Sequence, residues 1–124
     1  MREAFLVAIA GAFGALGRYG VSVWARRAWG EDFPWGTLIV NAVGSVLLGV
    51  VLGLSLASKL PRDAKLALGT GFMGAFTTFS TFSCDTVSLI DRGHTAAAAG
   101  NVVSNVALGL VGAWLGFAAV RAIA

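Results

Sequence analysis

The chain has 124 residues, of which 57% are hydrophobic and only 12% are charged. This balance excludes an ordinary soluble domain, in which about 25% of residues are charged, and indicates a membrane protein. The net charge of +3 comes from basic residues scattered singly, so no patch is dense enough to predict a nucleic-acid partner. The single cysteine, Cys84, excludes an intrachain disulfide.

Four apolar runs are each long enough to cross a bilayer, whose core requires about 20 apolar residues in a helix. They cover residues 4–24, 36–57, 66–90 and 95–120, and the joints between them carry the Gly, Pro, Asp or Lys that interrupt helices. Such short joints make neighbouring helices antiparallel and put both termini on one side. The sequence therefore predicts an all-α, multi-pass membrane protein with a single four-helix transmembrane domain over residues 1–124.

The basic residues outside the spans give little preference for one orientation. Five of them lie on the side of the termini and three on the other side, with Arg18 inside a span. By the positive-inside rule this is a weak bias. Two interpretations stay open: one fixed orientation with cytoplasmic termini, or insertion in both orientations as an antiparallel pair.

The first two spans each contain a polar residue that lipid does not tolerate without a partner. Arg18, in GALGRYG, either snorkels to the interface or has a structural or ion-attracting role. Asn41, in GTLIVNAVGSVLLG, lies too deep to snorkel and needs a hydrogen-bonding partner or a wet cavity. Glycine pairs four residues apart allow close helix packing, within one chain or between subunits. They are Gly49 with Gly53, and Gly112 with Gly116.

The third span contains GAFTTFSTF at residues 74–82, which combines four hydroxyl side chains with three phenyl rings. Poor helix propensity here predicts a break, at which freed carbonyls can coordinate a cation. Alternatively, the hydroxyls bond to carbonyls one turn earlier in an unbroken helix. Phe79 and Phe82 share a face that Phe76 extends, and such a stripe either packs or presents electropositive ring edges to an anion. The sequence places no cation near this motif.

The fourth span contains a polar stripe, because Asn101 lies three and four residues before Ser104 and Asn105 on one helix face. Two roles are open for these side chains. They either line a polar pathway or form interhelical hydrogen bonds that only hold the helices together.

The motifs GAFTTFSTF, GALGRYG and GTLIVNAVGSVLLG closely resemble the signatures of the Fluc (CrcB-type) fluoride channels, and the four-span layout matches over essentially the whole chain. The third-span motif is long and unusual enough to be specific. The resemblance implies a dual-topology antiparallel homodimer with two fluoride pores and a sodium ion buried at the dimer centre. It further implies that the backbone carbonyls of Gly74 and Thr77 bind this structural sodium ion, each twice through the twofold axis.

The resemblance also implies which side chains form the ion pathway. Phe79 and Phe82 would be the paired phenyls whose edges face fluoride, with Asn41 beside them. Thr81 and Ser104 would belong to a track of hydroxyl groups along the same pathway.

Two further positions complete the comparison with the family. Arg18 matches the family's basic position in the first span. Leu108 is a departure, because related proteins can carry a hydroxyl one turn beyond Ser104, and Asn105 is the adjacent polar residue here. This leaves open how the polar track continues toward the carboxyl end.

The predicted function is passive, fluoride-selective export from the cytoplasm across the plasma or inner membrane. Fluoride holds its water tightly, so a selective route must replace that water with hydroxyls, amides and ring edges. No catalytic group is indicated, because His94 is alone in a joint and Cys84 lacks a base. One rival is a proton-coupled small-molecule exporter of the small multidrug type, in which Asp85 would titrate. The other is a structural membrane subunit.

Overall fold

The computed structural model describes residues 1–123, most of which are helical and none of which form a strand; the final residue of the predicted 1–124 domain lies outside them. Three helices are long and apolar enough to cross a membrane: α1 (Arg2–Trp29), α2 (Trp35–Leu56) and α6 (Thr95–Ile123). A short helix, α3 (Arg62–Lys65), precedes the third predicted span. That span is divided into three pieces: a π-helical segment (Leu66–Met73), α4 (Gly74–Phe76) and α5 (Phe79–Asp91). The prediction of a break in this span is therefore confirmed.

The break lies at Thr77 and Thr78, whose backbone is extended rather than helical. Thr77 has φ −78° and ψ 155°, and Thr78 has φ −153° and ψ 111°. Their hydroxyls stabilise the helix ends on either side. Thr77 Oγ1 donates to the Met73 carbonyl at 2.9 Å, and the Thr81 N–H donates to Thr78 Oγ1 at 3.2 Å. Thr78 is thus the N-cap of α5, where a threonine oxygen satisfies a free helix N–H.

Close packing between α2 and α6 depends on glycine. A Cβ atom on Gly49 would overlap the carbonyl oxygen of Ala113, and one on Gly116 would overlap the carbonyl oxygen of Val46. Both glycine pairs noted in the sequence therefore serve packing within one chain. The π-helical segment approaches α1 in the same manner, since a Cβ on Gly14 would overlap the Phe72 carbonyl.

The break separates the phenyl rings of the third segment onto different surfaces. Phe76 is buried against Val40 and Met73 in a small core, whereas the side chain of Phe79 is 79% exposed. The expectation that Phe76 extends the stripe of Phe79 and Phe82 is wrong. The physical reason is that Thr77 and Thr78 are extended, because this interrupts the helical spacing that would have aligned the three rings.

The start of α1 is joined to α3 by ion pairs, and the end of α1 leads into a reversal of the chain. At one end, exposed ion pairs join α1 to α3: Arg2 with Asp63, and Glu3 with Arg62 at 3.0 Å. At the other end, α1 runs past the predicted limit at residue 24 and ends before Gly30, whose φ of 81° reverses the chain toward α2.

Candidate functional site

Asn41 is hydrogen-bonded to the backbone at the helix break. Its Oδ1 atom accepts from the Thr78 N–H at 2.8 Å, and its Nδ2 atom donates to the Thr78 carbonyl at 3.2 Å. The same Nδ2 atom donates to Oδ1 of Asn105 at 2.9 Å. The expectation that Asn41 needs a hydrogen-bonding partner is confirmed. Its amide replaces the backbone partners that Thr78 loses by leaving the helical conformation.

The polar stripe of α6 continues these hydrogen bonds toward α5. Asn105 Nδ2 donates to both the backbone carbonyl and Oδ1 of Asn101, at 3.0 and 2.9 Å. Asn101 Nδ2 then donates to Thr86 Oγ1 at 2.9 Å, and Thr86 Oγ1 donates to the Phe82 carbonyl at 2.8 Å. Ser104 is half-buried, and its hydroxyl is not among the groups that these bonds join. The stripe therefore forms interhelical hydrogen bonds through its two asparagines.

Phe79 and Phe82 form a tilted pair, with ring centroids 5.4 Å apart and an angle of 55° between the ring planes. The Phe82 side chain is only 9% exposed, in contrast to that of Phe79. The rings border a cavity of about 260 Å³ that is also lined by Asn41, Asn105 and Thr78. Phenyl rings and polar groups thus border one open space, an arrangement that suits a small anion because ring edges are electropositive.

The hydroxyl groups at the start of α5 leave one hydrogen free. Thr78 Oγ1 donates to Thr81 Oγ1 at 2.9 Å, so this bond does not use the hydroxyl hydrogen of Thr81. Ser83 Oγ instead donates back to the Phe79 carbonyl at 2.9 Å. Both interpretations of these hydroxyls hold in part, because the helix is broken and some hydroxyls still bond to carbonyls one turn earlier.

A second cavity of about 360 Å³ adjoins Thr81 and extends to the loop between α1 and α2. Asp85 and Thr37 face each other at its edge, where Thr37 Oγ1 donates to Asp85 Oδ2 at 2.7 Å. Arg26 and Arg92 also line it. Since Thr81 and the following Phe82 line different cavities, the first turn of α5 separates two spaces that both contain polar groups.

Arg18 lies at the break, although the sequence places it two spans away. Its Nε atom donates to the Ala75 carbonyl at 3.1 Å, and the side chain is half-buried. The expectation that no cation lies near GAFTTFSTF is therefore wrong, because the packing of α1 against α4 brings the guanidinium to the motif. This contact favours a structural role for Arg18 over snorkelling.

The carbonyl groups around the break differ in their partners. Those of Ala75 and Thr78 accept hydrogen bonds from Arg18 and Asn41, respectively. The carbonyls of Gly74, Phe76 and Thr77 receive no such bond within residues 1–123. The Thr78 N–H that a continuous helix would direct to Gly74 is taken by Asn41, and the Thr81 N–H that it would direct to Thr77 is taken by Thr78 Oγ1. Three main-chain oxygens are therefore available, and oxygen donors of this kind fit a hard cation such as sodium.

Two contributors to the site, Thr86 and Thr37, are missing from the sequence predictions. Thr86 lies four residues after Phe82, so helical spacing was the signal that could have placed its hydroxyl against the Phe82 carbonyl. Thr37 contacts Asp85 across two helices, and no local spacing indicates that pair.

Comparisons with known proteins agree with one another. The family model described as CrcB-like protein, Camphor Resistance (CrcB), matches residues 5–117. A fluoride-specific ion channel FluC of Rhizobium etli (strain CIAT 652) is 44% identical over 125 residues, which cover 100% of both chains. The FluC of Syntrophotalea carbinolica is 48% identical over 111 residues, covering 89% of this chain and 90% of the relative. The FluC of Thermus thermophilus is 45% identical over 112 residues, covering 90% and 88%, respectively.

Proposed function

Since the chain belongs to the CrcB-like protein family, we propose that it is a passive, fluoride-selective ion channel that exports fluoride from the cytoplasm. The membership confirms the resemblance drawn from the three motifs. It also confirms the expectation that the chain is not an enzyme, because the relatives are named as ion channels. The observation that carries the proposal is the break beside Phe79 and Phe82, which combines phenyl rings and polar groups in one cavity.

In the proposed pathway, fluoride exchanges its water for weak, closely spaced donors. The edges of Phe79 and Phe82 and the free hydroxyl hydrogen of Thr81 provide them, and Ser104 extends the track on α6. Asn41 borders the pathway, but both of its N–H groups are already donated to protein oxygens. Its proposed role is therefore to hold the break beside the rings.

Arg18 is proposed to stabilise the site and to favour an anion at the same time. Its hydrogen bond to the Ala75 carbonyl secures the end of α4, while its charge lowers the energy of fluoride nearby. A guanidinium that is bonded to the main chain attracts fluoride without offering it a dedicated, tightly binding pocket. Conduction requires such a balance, since an ion that binds too strongly does not leave.

We further propose that two chains form an antiparallel, dual-topology homodimer with two pores in the plasma or inner membrane. Phe79 is largely exposed, so one chain alone encloses a pathway on only one side. Large apolar side chains such as Leu110 and Trp114 are also exposed, as expected for surfaces that face lipid or a second subunit. The weak charge bias of the loops is compatible with both orientations.

The proposed structural sodium ion would lie at the dimer centre and bind the carbonyl oxygens of Gly74 and Thr77 from both subunits. These two oxygens are among the three that the break leaves without a hydrogen bond. A bound cation would offset their mutual repulsion and hold the two breaks together.

The test is fluoride efflux from liposomes that contain only the purified protein, with chloride for comparison. Wild type should release fluoride rapidly and chloride poorly. Phe82→Ile should abolish fluoride efflux, because it removes the buried ring edge from the pathway. Phe5→Ile makes the same substitution at an exposed site of α1 and should leave efflux unchanged.

Either of two results would contradict the proposal. The first is an absence of fluoride efflux from folded, inserted wild type. The second is a Phe82→Ile variant that conducts as well as Phe5→Ile, which would place the pathway elsewhere in the protein.

A further inference from the structure

The hydrogen bonds around Asn41 can have only one direction. The Thr78 N–H can only donate and the Thr78 carbonyl can only accept, so the amide of Asn41 must present Oδ1 to the first and Nδ2 to the second. Rotating this amide by half a turn would place Nδ2 against the Thr78 N–H, two donors, and Oδ1 against the Thr78 carbonyl, two acceptors. The backbone at the break therefore determines that Asn41 donates to Asn105.

The direction at the next two residues follows from the same reasoning. Asn105 Nδ2 faces the main-chain carbonyl of Asn101, which can only accept, so Asn105 Oδ1 must face Asn41. Asn101 Oδ1 accepts from Asn105, which leaves its Nδ2 atom to donate to Thr86. The hydroxyl of Thr86 then donates to the carbonyl of Phe82. The polarity of the series is set by main-chain groups, namely the N–H and carbonyl of Thr78 and the carbonyls of Asn101 and Phe82.

These bonds form a continuous series that begins at Thr78, the N-cap of α5, and ends at Phe82 in the first turn of the same helix. We name it the amide relay and define it as Thr78, Asn41, Asn105, Asn101, Thr86 and Phe82. It leaves the backbone of Thr78, crosses α2 and α6, and returns to the backbone of Phe82. Phe79, whose ring is paired with that of Phe82, lies between the two ends.

We infer that Asn105, Asn101 and Thr86 are positioning residues for ion conduction, because the amide relay holds the backbone on both sides of the phenyl pair. This inference rests on the proposed function. Asn101 is 0% exposed, so water does not replace a partner that is lost there. Loss of one relay bond would leave an unpaired polar group. It would also allow the first turn of α5, which sets the orientation of the Phe79 and Phe82 rings, to move. None of the three residues needs to touch the ion.

A role in packing alone makes the opposite prediction at Thr86. Thr86→Val keeps the shape of the side chain and removes the hydroxyl, whereas Thr86→Ser keeps the hydroxyl and removes a methyl group. If Thr86 only fills space, the valine variant should conduct normally and the serine variant should be impaired. If it belongs to the amide relay, the order is reversed.

The experiment measures fluoride and chloride efflux from liposomes for wild type, Thr86→Val and Thr86→Ser. We expect Thr86→Val to lower fluoride efflux about tenfold and to reduce the ratio of fluoride to chloride efflux, whereas Thr86→Ser retains both. A valine variant that conducts like wild type would overturn the inference, and so would equal losses in both variants. No efflux from wild type would overturn the proposed function first, and this inference with it.

Asn105→Leu gives a second measurement at the centre of the amide relay. It keeps the number of side-chain heavy atoms and the branching at Cγ but leaves an N–H of Asn41 unpaired, so efflux and selectivity should fall further than in Thr86→Val. Val120→Ala is its control, because it also alters a buried side chain of α6 and lies outside the relay. If the two variants lose efflux equally for the same loss of thermal stability, Asn105 is a packing residue and the inference fails.

Discussion

The α2–α6 interface and the helix break both accommodate main-chain groups inside the protein, but they do so in opposite ways. At the α2–α6 interface, glycines such as Gly49 and Gly116 remove side chains so that one backbone can pack directly on another. At the break, Asn41 adds a side chain that satisfies backbone groups released from the helix. A membrane span can therefore be stabilised by close approach where its helix is intact, and only by polar side chains where it is interrupted.

The most severe loss should come from disturbing the α2–α6 interface. Gly116→Leu should prevent recovery of folded protein, because even its Cβ atom would overlap the Val46 carbonyl and the helices would have to separate. The measurement is the yield of monodisperse protein in detergent. Gly100→Ala is the matched control, since nothing lies within 4 Å of a Cβ at that position. Normal yield from Gly116→Leu would show that α2 and α6 do not need this close contact.

The next effect comes from the break. Asn41→Leu removes the partners of both the N–H and the carbonyl of Thr78, so the protein should still fold but fluoride efflux should fall about a hundredfold. Liposome efflux and the thermal unfolding temperature are measured together. Val43→Leu enlarges an exposed side chain on the same helix and serves as the control. Undiminished efflux from Asn41→Leu would mean that the break needs no amide.

A smaller effect is expected at Asp85, where the proposed channel and a proton-coupled exporter differ. Asp85→Asn retains an oxygen that accepts from Thr37 but removes the titrating group. Passive fluoride efflux should stay within about threefold of wild type, a change of less than about 1 kcal/mol in the barrier. Complete loss of transport, together with uptake of protons by wild type during transport, would support the exporter.

The exposed ion pairs between α1 and α3 should matter least. Arg2→Gln removes the pair with Asp63, and both of these side chains are largely accessible to water. The free energy of unfolding should change by less than about 1 kcal/mol, and efflux should be unaffected. A thermal unfolding series at low and high salt measures this contribution. A large decrease in the free energy of unfolding that does not depend on salt would show that the contact between Arg2 and Asp63 is a main determinant of the fold.

The helical class, the apolar runs and the location of the break could all be predicted from the amino-acid sequence. These properties depend on composition and on local propensity, and the glycines, threonines and serines of residues 69–83 are poor helix formers wherever they occur. The requirement of Asn41 for a partner also followed from the sequence, because an amide at that depth has no water to bond.

The identity of the groups that meet at the break depends instead on how the helices pack. Packing brought Arg18 to Ala75, and the extended backbone at Thr77 and Thr78 separated Phe76 from Phe79. The same packing directed the asparagines of α6 toward the two ends of the phenyl pair. Spacing along the chain describes one helix at a time, whereas these contacts depend on how helices far apart in sequence are rotated against each other.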